Sequence, residues 1–476
     1  MEKIASARSA LDQFGSKVIG LGTKVPILDG THRRHIDFDN AATTPCLEVV
    51  YARVSEFLSW YSSIHRGVGF KSVISTAVYE RARDMVADFV GADKETDVVI
   101  FVRNTTEALN KLARRFPFDE GDVVLTSIME HHSNLLPWRS VAQVDYIALL
   151  PDGSLDIEDL RRKLRTYQGK VKLVSIAGAS NVTGYVNPIH QIAELVHKAG
   201  AKIAVDAAQL AAHRPINMKP QSAPDHIDFV ALSGHKMYAP FGTGALIGSR
   251  ETFETGEPDG VGGGTVDFVT LDHIRWAKLP EKEEAGTPNV VGAVALATSA
   301  LVLQRIGLET IAQHESELTG YLLEKMREIP GLKIFGHSDP ALESEHLGIV
   351  SFSLEGVPHA LVAAILSYEG GIGVRSGRFC AHPYVLCLLG VPPGKAEEYR
   401  RQIVDGDWSQ LPGLVRVSLG LYNTKEEVDQ LVQMLLRISQ GQYEGDYLLD
   451  TGSGAYLPRG FSSQLESYFH LVPVGY

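Results

Sequence analysis

Short apolar runs alternate with amphipathic stretches along the first two-thirds of the chain. The apolar runs are rich in β-branched residues and predict strands over residues 97–102, 122–127, 171–177, 202–206 and 228–233. Helices are predicted over 105–113, over 155–164, and from Pro188 to a glycine stop at Gly200. Runs without polar alternation indicate strands buried on both faces, so the sequence predicts an α/β fold with a largely parallel sheet. The segment 242–248 is expected to return as an antiparallel strand.

The pattern changes after about residue 300. Long amphipathic stretches near 306–328 and over 424–438 predict helices, and Thr424 with Glu427 forms a predicted capping box. An apolar run at 348–353 predicts a strand between them, so we expect a smaller α+β domain. We predict four parts. Residues 1–35 form an N-terminal segment that packs with the small domain, and residues 36–300 form a large domain. Residues 301–440 form the small domain, and residues 441–476 form a C-terminal extension. Composition leaves open whether the extension wraps over the surface or contacts a partner.

Composition and charge argue against several classes of protein. The chain has 476 residues, which suits two domains, and a formal net charge of −12 with no basic block, which argues against nucleic-acid binding. No apolar run is long enough to span a bilayer and the N-terminus lacks a signal pattern, so we expect no membrane association. Three cysteines, Cys46, Cys380 and Cys387, are too few for a disulfide framework. We therefore expect a cytoplasmic protein with reduced thiols.

Lys236 is the first candidate for chemistry, in the run Ser233-Gly-His-Lys that follows a predicted strand. A lysine becomes a Schiff-base nucleophile when it is held, partly desolvated, beside an electrophilic carbonyl. The Ser233 hydroxyl, the His235 ring and the backbone N–H groups before the lysine suit phosphate oxygens. An arbitrary lysine in a loop is usually solvated, but this context favours pyridoxal phosphate (PLP) held by Lys236.

Two further segments suit the same cofactor. Asp206 ends a predicted strand, where a buried carboxylate needs a cationic partner such as the protonated pyridine nitrogen of PLP. Gln209 is then placed to donate a hydrogen bond to the phenolic oxygen of the ring. Thr106 lies where a strand turns into a helix, and the N–H groups of a helix N-terminus bind anions such as phosphate. Taken alone, Asp206 and Thr106 could equally be ordinary helix caps.

A histidine pair follows another predicted strand, in Met129-Glu-His-His-Ser-Asn. One of the two imidazoles is suited to lie flat over the pyridine ring. Adjacent histidines seldom face the same ion, and no cysteine or acidic cluster joins these two, so we expect no metal site.

Cys380 is the cysteine with a reactive neighbourhood. Gly377 is expected to make its loop mobile, and two arginines make the loop electropositive, which favours a thiolate. Cys387 lies in an apolar run and fits a small buried filler better. Arg375 and Arg416 lie on strand-like segments, where a forked guanidinium suits a substrate carboxylate.

Taken together, these residues resemble the class V aminotransferase family of fold-type I PLP enzymes, and within it the cysteine desulfurases and selenocysteine lyases. The resemblance runs from Ile36-Asp-Phe-Asp-Asn-Ala-Ala to Leu421-Tyr-Asn-Thr, and it includes Ser180-Asn-Val-Thr-Gly and Glu284-Ala-Gly-Thr-Pro-Asn. It implies a large domain on a mainly parallel seven-stranded sheet, a smaller α+β domain, and a homodimer with shared active sites.

The resemblance also implies roles at individual positions. Lys236 is the implied Schiff-base lysine, His131 stacks on the ring and takes part in catalysis, and Cys380 is the catalytic sulfur acceptor. Asp206 faces the pyridine nitrogen and Gln209 the phenolic oxygen. The implied phosphate ligands are Thr105, Thr106, Ser233 and His235, with Thr287 reaching the phosphate bound by the partner subunit. The implied ligands of the substrate carboxylate are Asn181, Arg375 and Arg416.

Departures from the family pattern bear on the substrate. The family's loop usually runs Arg-Thr-Gly-His-His-Cys-Ala-Gln-Pro, whereas this chain has Arg375-Ser-Gly-Arg-Phe-Cys-Ala-His-Pro. Gly69-Phe70 stands where many relatives have His-Thr, and the chain continues past the family's usual end.

The favoured activity is a cysteine desulfurase that converts L-cysteine to L-alanine and passes the sulfur through Cys380 to an acceptor protein. The alternatives are a selenocysteine lyase, C–S β-lyase, epimerase or aminotransferase acting on an amino acid. A catalytically idle scaffold in a sulfur-transfer complex is disfavoured because it has no chemical need of Lys236, Asp206 and His131.

Overall fold

The computed structural model describes residues 17–336, 346–462 and 464–471. Its strands are β1 Lys24–Pro26, β2 His32–Arg34, β3 Ile36–Asp37, β4 Asp97–Val102, β5 Val123–Ser127, β6 Gln143–Ile147, β7 Val171–Ala177, β8 Lys202–Asp206, β9 Phe229–Ser233, β10 Gly244–Ser249, β11 Val266–Val269, β12 Ile274–Trp276, β13 Leu332–Phe335, β14 Ile349–Leu354, β15 Ile372–Gly373, β16 Arg375–Gly377, β17 Leu414–Ser418, β18 Tyr447–Asp450 and β19 Ala455–Pro458. Its α-helices are α1 Glu48–Leu58, α2 Phe70–Val90, α3 Thr105–Arg115, α4 Ile157–Thr166, α5 Ile189–Lys198, α6 Arg250–Glu254, α7 Val290–Ile306, α8 Leu308–Arg327, α9 His359–Gly370, α10 His382–Leu388, α11 Pro393–Val404 and α12 Lys425–Ser439.

The large domain is built on a seven-stranded sheet in the order β4-β10-β9-β8-β7-β5-β6. β10 runs antiparallel to β4 and β9, and the other neighbours are parallel. Along β4, Val99 and Phe101 lie in one hydrophobic cluster, while Val98 and Ile100 lie in another on the opposite face. This arrangement confirms the predicted α/β fold, the mainly parallel sheet and the antiparallel return.

The edge strand β6 was missed by the sequence analysis. Its five residues include polar side chains, and only Ile147 is fully buried. An edge strand covered on fewer sides needs no continuous apolar run, so its pattern resembles that of a loop.

The small domain contains an antiparallel sheet in the order β13-β14-β17-β16, which shares a hydrophobic core with α8, α9 and α12. The predicted capping box of Thr424 and Glu427 begins α12. The helix predicted near 306–328 is α8, and the separate helix α7 precedes it. Gly307, with a φ of 91°, breaks the two helices apart.

Both ends of the described chain contact the small domain. The Leu28 N–H donates to the Tyr368 carbonyl oxygen at 2.7 Å, and the Phe38 side chain lies in the small-domain core. The C-terminal extension forms a hairpin of β18 and β19 against α9, and the Phe461 ring lies 5.1 Å from that of Tyr368. Residues 1–16 of the predicted N-terminal segment and residues 472–476 of the predicted C-terminal extension lie outside the described residues. The four domain boundaries stay a prediction.

Among the described residues, no single helix is long and apolar enough to cross a membrane. Helices α7 and α8 reach the required length and apolar composition only when they are taken together, and they are bent by 74° at the break between them.

Candidate active site

A cavity of about 1200 Å³ lies where the carboxyl ends of β7, β8 and β9 meet the small-domain strands β16 and β17. Ligands of open parallel sheets bind at these strand ends. The predicted site residues that line the cavity are Thr105, Thr106, His131, Asn181, Asp206, Gln209, Ser233, His235, Lys236, Arg375, Cys380 and Arg416. Thr287 is exposed and is not among the lining residues.

Lys236 and Asp206 form the inner part of the cavity. Lys236 ends the single 3-10 turn that follows β9, and burial lowers the pKa of its ammonium group to about 8. Asp206 ends β8 and is 5% exposed, and its carboxylate accepts the Ala208 N–H at 2.9 Å. Burial raises the pKa of Asp206, and no cationic side chain within the described ranges forms an ion pair with it. Such a carboxylate is stabilised when a ligand brings a cation.

The N-terminus of α3 joins the end of β9 at the cavity. Ser233 Oγ accepts the Thr105 N–H at 2.8 Å and donates to Thr105 Oγ1 at 2.9 Å. Asn104 caps the helix by accepting the Glu107 N–H at 3.0 Å. The positive end of the helix dipole therefore faces the cavity, as an anion such as phosphate requires.

His131 is held in one orientation. Its Nδ1 accepts the Ser133 N–H at 3.1 Å and lies 3.0 Å from Ser133 Oγ, which in turn lies 2.7 Å from Thr106 Oγ1. Burial lowers the pKa of His131 to about 3, so the ring is neutral at physiological pH. A neutral, oriented imidazole suits stacking on a flat ring better than it suits charge pairing.

Gln209 and His235 contact the segment that follows β3. Gln209 Nε2 donates to the Ala41 carbonyl oxygen at 2.7 Å, and His235 Nδ1 lies 3.3 Å from Thr43 Oγ1. Because the amide of Gln209 has two N–H groups, one of them remains for a ligand. Burial lowers the pKa of His235 to about 4.

Arg375 and Arg416 meet on a shared carboxylate. Arg375 Nη2 is 2.7 Å from Asp39 Oδ2, and Arg416 Nη2 is 3.1 Å from Asp39 Oδ1. Arg416 also donates to the Asn181 carbonyl oxygen at 2.9 Å, and its Nε is buried without a hydrogen-bond partner. Burial lowers the pKa of Arg416 to about 10. The two guanidinium groups are thus pre-oriented at one side of the cavity.

The family model for class V aminotransferases matches residues 36–431, most of the chain. The chain belongs to the class V aminotransferase family. It is 36% identical over 406 residues to a "Probable cysteine desulfurase" of Halalkalibacterium halodurans, covering 83% of this chain and 91% of that protein. It is 36% identical over 423 residues to a protein of the same name from Staphylococcus aureus, covering 86% and 94%.

Solved structures show the same likeness. The apo cysteine desulfurase of Thermococcus onnurineus superposes with a TM-score of 0.75 and 34% identity, covering 86% of this chain and 95% of that one. The cysteine desulfurase CsdA of Escherichia coli has a TM-score of 0.73 and 30% identity, covering 90% and 98%. These comparisons confirm the family resemblance seen in the sequence.

Class V aminotransferases use PLP, and the cavity of this member fits that cofactor. The buried Asp206 carboxylate forms no ion pair within the described chain and has the Lys236 amine as its charged neighbour, so the pyridinium nitrogen would provide a close cationic partner. The N-terminus of α3 and the Ser233 hydroxyl offer the phosphate its donors. Lys236, between these two features, has the lowered pKa that favours a nucleophilic amine.

The Cys380 loop of this class V aminotransferase is short and joins β16 to α10. Phe379 and Cys380 have φ values of 51° and 55°, which is costly for residues with a Cβ atom. Asn181 Nδ2 donates to the Phe379 carbonyl oxygen at 2.7 Å. The backbone N–H of His132 donates to the Cys380 carbonyl oxygen at 2.7 Å. The loop backbone, which the sequence analysis expected to be mobile, is therefore tied to the large domain.

The expectation that Cys387 is a buried filler is wrong. The short helix α10 turns Tyr384 and Val385 into the core and leaves Cys387 exposed. Cys46 is half-buried, and burial raises the pKa of its thiol. Cys380 is exposed and is the one cysteine among the residues that line the cavity.

Asp39 and Ser133 are the site residues that sequence reasoning did not single out. Both lie inside segments that carried the family resemblance, but neither pattern shows that Asp39 would join two arginines or that Ser133 would orient His131.

The His131 and His132 ring centroids are 6.2 Å apart. Within the described ranges, the trio of metal-ligating side chains is His197, His226 and Asp228, away from these two rings.

Proposed function

We propose that this chain is a PLP-dependent cysteine desulfurase that converts L-cysteine to L-alanine and carries the sulfur as a persulfide on Cys380. The observation that carries the proposal is that Lys236 and Cys380 line the same cavity. A sulfur-accepting thiol next to a cofactor-holding lysine is what this reaction requires. The cysteine desulfurase names of the relatives support the same activity.

The inner cavity would hold the cofactor. Lys236 would bind its aldehyde carbon, Asp206 its ring nitrogen and Gln209 its phenolic oxygen, with His131 against the ring face. Thr105, Thr106, Ser233 and His235 would bind the phosphate. When bound, PLP withdraws electrons from an attached amino acid and so acidifies its α-hydrogen.

The chain's own groups supply the proton transfer. With a pKa lowered to about 8, the Lys236 amine is a competent general base near neutral pH. The His131 ring is neutral and so adds no charge beside that amine, whereas the buried Arg416 helps to lower the pKa of Lys236. Lys236 therefore takes the α-proton of the amino acid and returns a proton as alanine forms.

Cys380 supplies the sulfur transfer. Its Sγ forms a bond to the substrate sulfur as the substrate's Cβ–S bond breaks, and Cβ takes up a proton. Asn181 and Arg375 would hold the substrate carboxylate, with Arg416 assisting from its buried position. The reaction needs no external oxidant because the electron pair of the broken Cβ–S bond stays on Cβ, which is reduced to C–H as the sulfur is oxidised to the level of a persulfide.

A homodimer would complete the site. The exposed apolar side chains of residues 68–70 and 261–274 are Val68, Phe70, Val261, Phe268, Val269, Leu271 and Ile274. Arg66 Nη2 donates to the Val266 carbonyl oxygen at 2.7 Å, which joins these two stretches, and the Gly286 N–H donates to the Gly263 carbonyl oxygen at 2.7 Å, which joins the Thr287 segment to the second of them. Exposed apolar side chains of this kind are typical of an interface. The free thiols support the expectation of a reducing, cytoplasmic setting.

The cofactor is tested by borohydride reduction and peptide mapping. The PLP-reconstituted protein should carry a pyridoxyl adduct on Lys236, and Lys236→Ala should lose the visible absorbance band that borohydride bleaches. Lys170→Ala, at an exposed surface position, is the control. A wild-type protein that cannot be reconstituted with PLP would contradict the proposal.

The activity is tested with L-cysteine and a reductant, measuring alanine and sulfide. Cys380→Ser should abolish sulfide release and leave the cofactor spectrum unchanged, while Cys387→Ser should behave as wild type. Wild-type desulfuration by Cys380→Ser would show that Cys380 is not the acceptor and would favour a β-lyase.

A further inference from the structure

An arginine without a counter-charge lies two residues before Cys380. Arg378 is half-buried and lines the cavity, and burial lowers the pKa of its guanidinium. Within the described ranges, no acidic side chain pairs with it. Arg375 and Arg416 differ in this respect because they share Asp39. Arg378 is therefore the arginine that lines this cavity without a carboxylate partner in the described part of the chain.

The neighbours of Arg378 do not add to or cancel its charge. Burial lowers the pKa of His132, of His359 and of His382, the last to about 4. The positive charge of Arg378 lowers the pKa of all three imidazoles further. The His132 and His382 rings are in edge contact, with centroids 4.4 Å apart. The three imidazoles are thus neutral near pH 7, so among these four side chains Arg378 is the one that carries a charge.

Trp408 and the C-terminal extension build the wall opposite Arg378. The Arg378 Cζ atom lies 6.0 Å from the centre of the Trp408 ring. The backbone N–H of Trp408 donates to the Thr451 carbonyl oxygen at 2.9 Å. Gly454 packs so closely that an added Cβ would lie 2.8 Å from the Trp408 carbonyl oxygen. The turn of the β18–β19 hairpin therefore fixes the tryptophan that faces Arg378, and Tyr456 and Leu457 continue the cavity wall.

The cavity is larger than the usual site for one small ligand. Sites for one drug-sized ligand span roughly 300–1000 Å³, whereas this cavity has about 1200 Å³. We define the outer chamber as the part lined by His359, Arg378, Trp408, Tyr456 and Leu457. It is concave, it carries one unpaired positive charge, and it adjoins Cys380.

We propose that the outer chamber binds a small thiol that carries a carboxylate, and that this thiol is the sulfur acceptor. The inference rests on the proposed role of Cys380 as persulfide carrier. Arg378 holds the carboxylate, and the acceptor thiolate attacks the terminal sulfur of the persulfide. The bond between that sulfur and Cys380 Sγ breaks, its electron pair leaves as the Cys380 thiolate, and the acceptor becomes a persulfide. The exchange needs no other reagent.

The first test needs no turnover. Iodoacetate and iodoacetamide alkylate the same thiol but differ in charge, so the ratio of their rates at Cys380 reports the local attraction for a carboxylate. In the PLP-reconstituted protein, Arg378→Gln should lower this ratio about three- to tenfold, and Arg378→Lys should largely keep it. The exposed Cys387, outside the cavity, is the internal reference, and Arg400→Gln is the control variant. If Arg378→Gln leaves the ratio of the two alkylation rates at Cys380 unchanged, the proposed carboxylate site at Arg378 is wrong.

The second test concerns the acceptor. During L-cysteine turnover, 3-mercaptopropionate should show saturation, and Arg378→Gln should raise its apparent KM roughly tenfold. The matched neutral thiol 3-mercapto-1-propanol should be unaffected by the substitution. Equal effects on both thiols, or none, would overturn the assignment and leave a protein as the acceptor. If no alanine forms from L-cysteine, the proposed function fails, and the alkylation ratio still decides whether Arg378 binds carboxylates.

Discussion

The buried guanidinium of Arg83 forms two hydrogen bonds with the carboxylate of Glu284, from Nη1 at 2.7 Å and from Nη2 at 3.1 Å. Arg83 lies on α2, and Glu284 begins the segment that leads to Thr287. The same carboxylate accepts the Tyr79 hydroxyl at 2.7 Å and the Phe101 N–H at 2.7 Å. This ion pair connects α2 and β4 to the proposed dimer surface.

Glu284→Gln should therefore destabilise the protein strongly. The substitution leaves the buried Arg83 with only the half-exposed Glu80 as an ionic partner, and breaking a buried ion pair typically costs about 3–5 kcal/mol. Asp84→Asn removes the partner of the exposed Arg81 on the same helix and should cost less than about 1 kcal/mol. Urea unfolding of the two variants measures the difference. Equal unfolding midpoints would show that the buried pair contributes no more than the exposed one.

Arg375→Ala should weaken the binding of carboxylate-bearing amino acids. The loss of a charged, forked contact should cost on the order of 2–4 kcal/mol of binding free energy. Titration of the cofactor spectrum with L-cysteine measures this loss. Cysteamine, which lacks the carboxylate, should bind the variant and the wild type alike. An unchanged affinity for L-cysteine would place the carboxylate elsewhere.

The stability of the apo protein should fall as the pH drops below about 6.5. The folded-state pKa of His382 is lowered to about 4 from its ordinary 6.5. Between these values the unfolded chain binds a proton at this histidine that the folded chain does not, so the His382 contribution to stability decreases with falling pH and levels off below about 4. His382→Gln should reduce the slope of unfolding free energy against pH by about one proton in this window. The exposed His273→Gln is the control, and equal slopes in the two variants would contradict the assignment.

Leu271→Asp should weaken the proposed homodimer. Leu271 is fully exposed on the turn between β11 and β12, and a carboxylate there would have to be desolvated in an apolar interface. Sedimentation velocity should show a monomer fraction that grows on dilution. Leu465→Asp, an exposed site on the C-terminal extension, should leave the dimer intact. A wild-type protein that is monomeric, PLP-loaded and fully active would rule the dimer out.

Much of the large domain could be predicted because its signals are local. Apolar runs of five to seven residues gave strands β5, β7, β8 and β9, and the Thr424–Glu427 box spans one helical turn. The exposed edge strand β6 lacks that signal. Lys236, Asp206 and Thr106 were found because each follows a strand directly, and parallel strands bring their carboxyl ends to one edge of the sheet.

The sequence by itself determined the fold class, the inner site residues and the family, because periodicity, strand-end position and short motifs are properties of neighbouring residues. Tertiary structure decided what depends on distant residues. Asp39 and Arg375 are far apart in the chain and 2.7 Å apart in space. Cys387 lies in an apolar run, yet the packing of α10 exposes it. Arg378 meets Trp408, and the C-terminal hairpin holds that tryptophan through Thr451. Such contacts arise when separate elements pack together, so no local pattern records them.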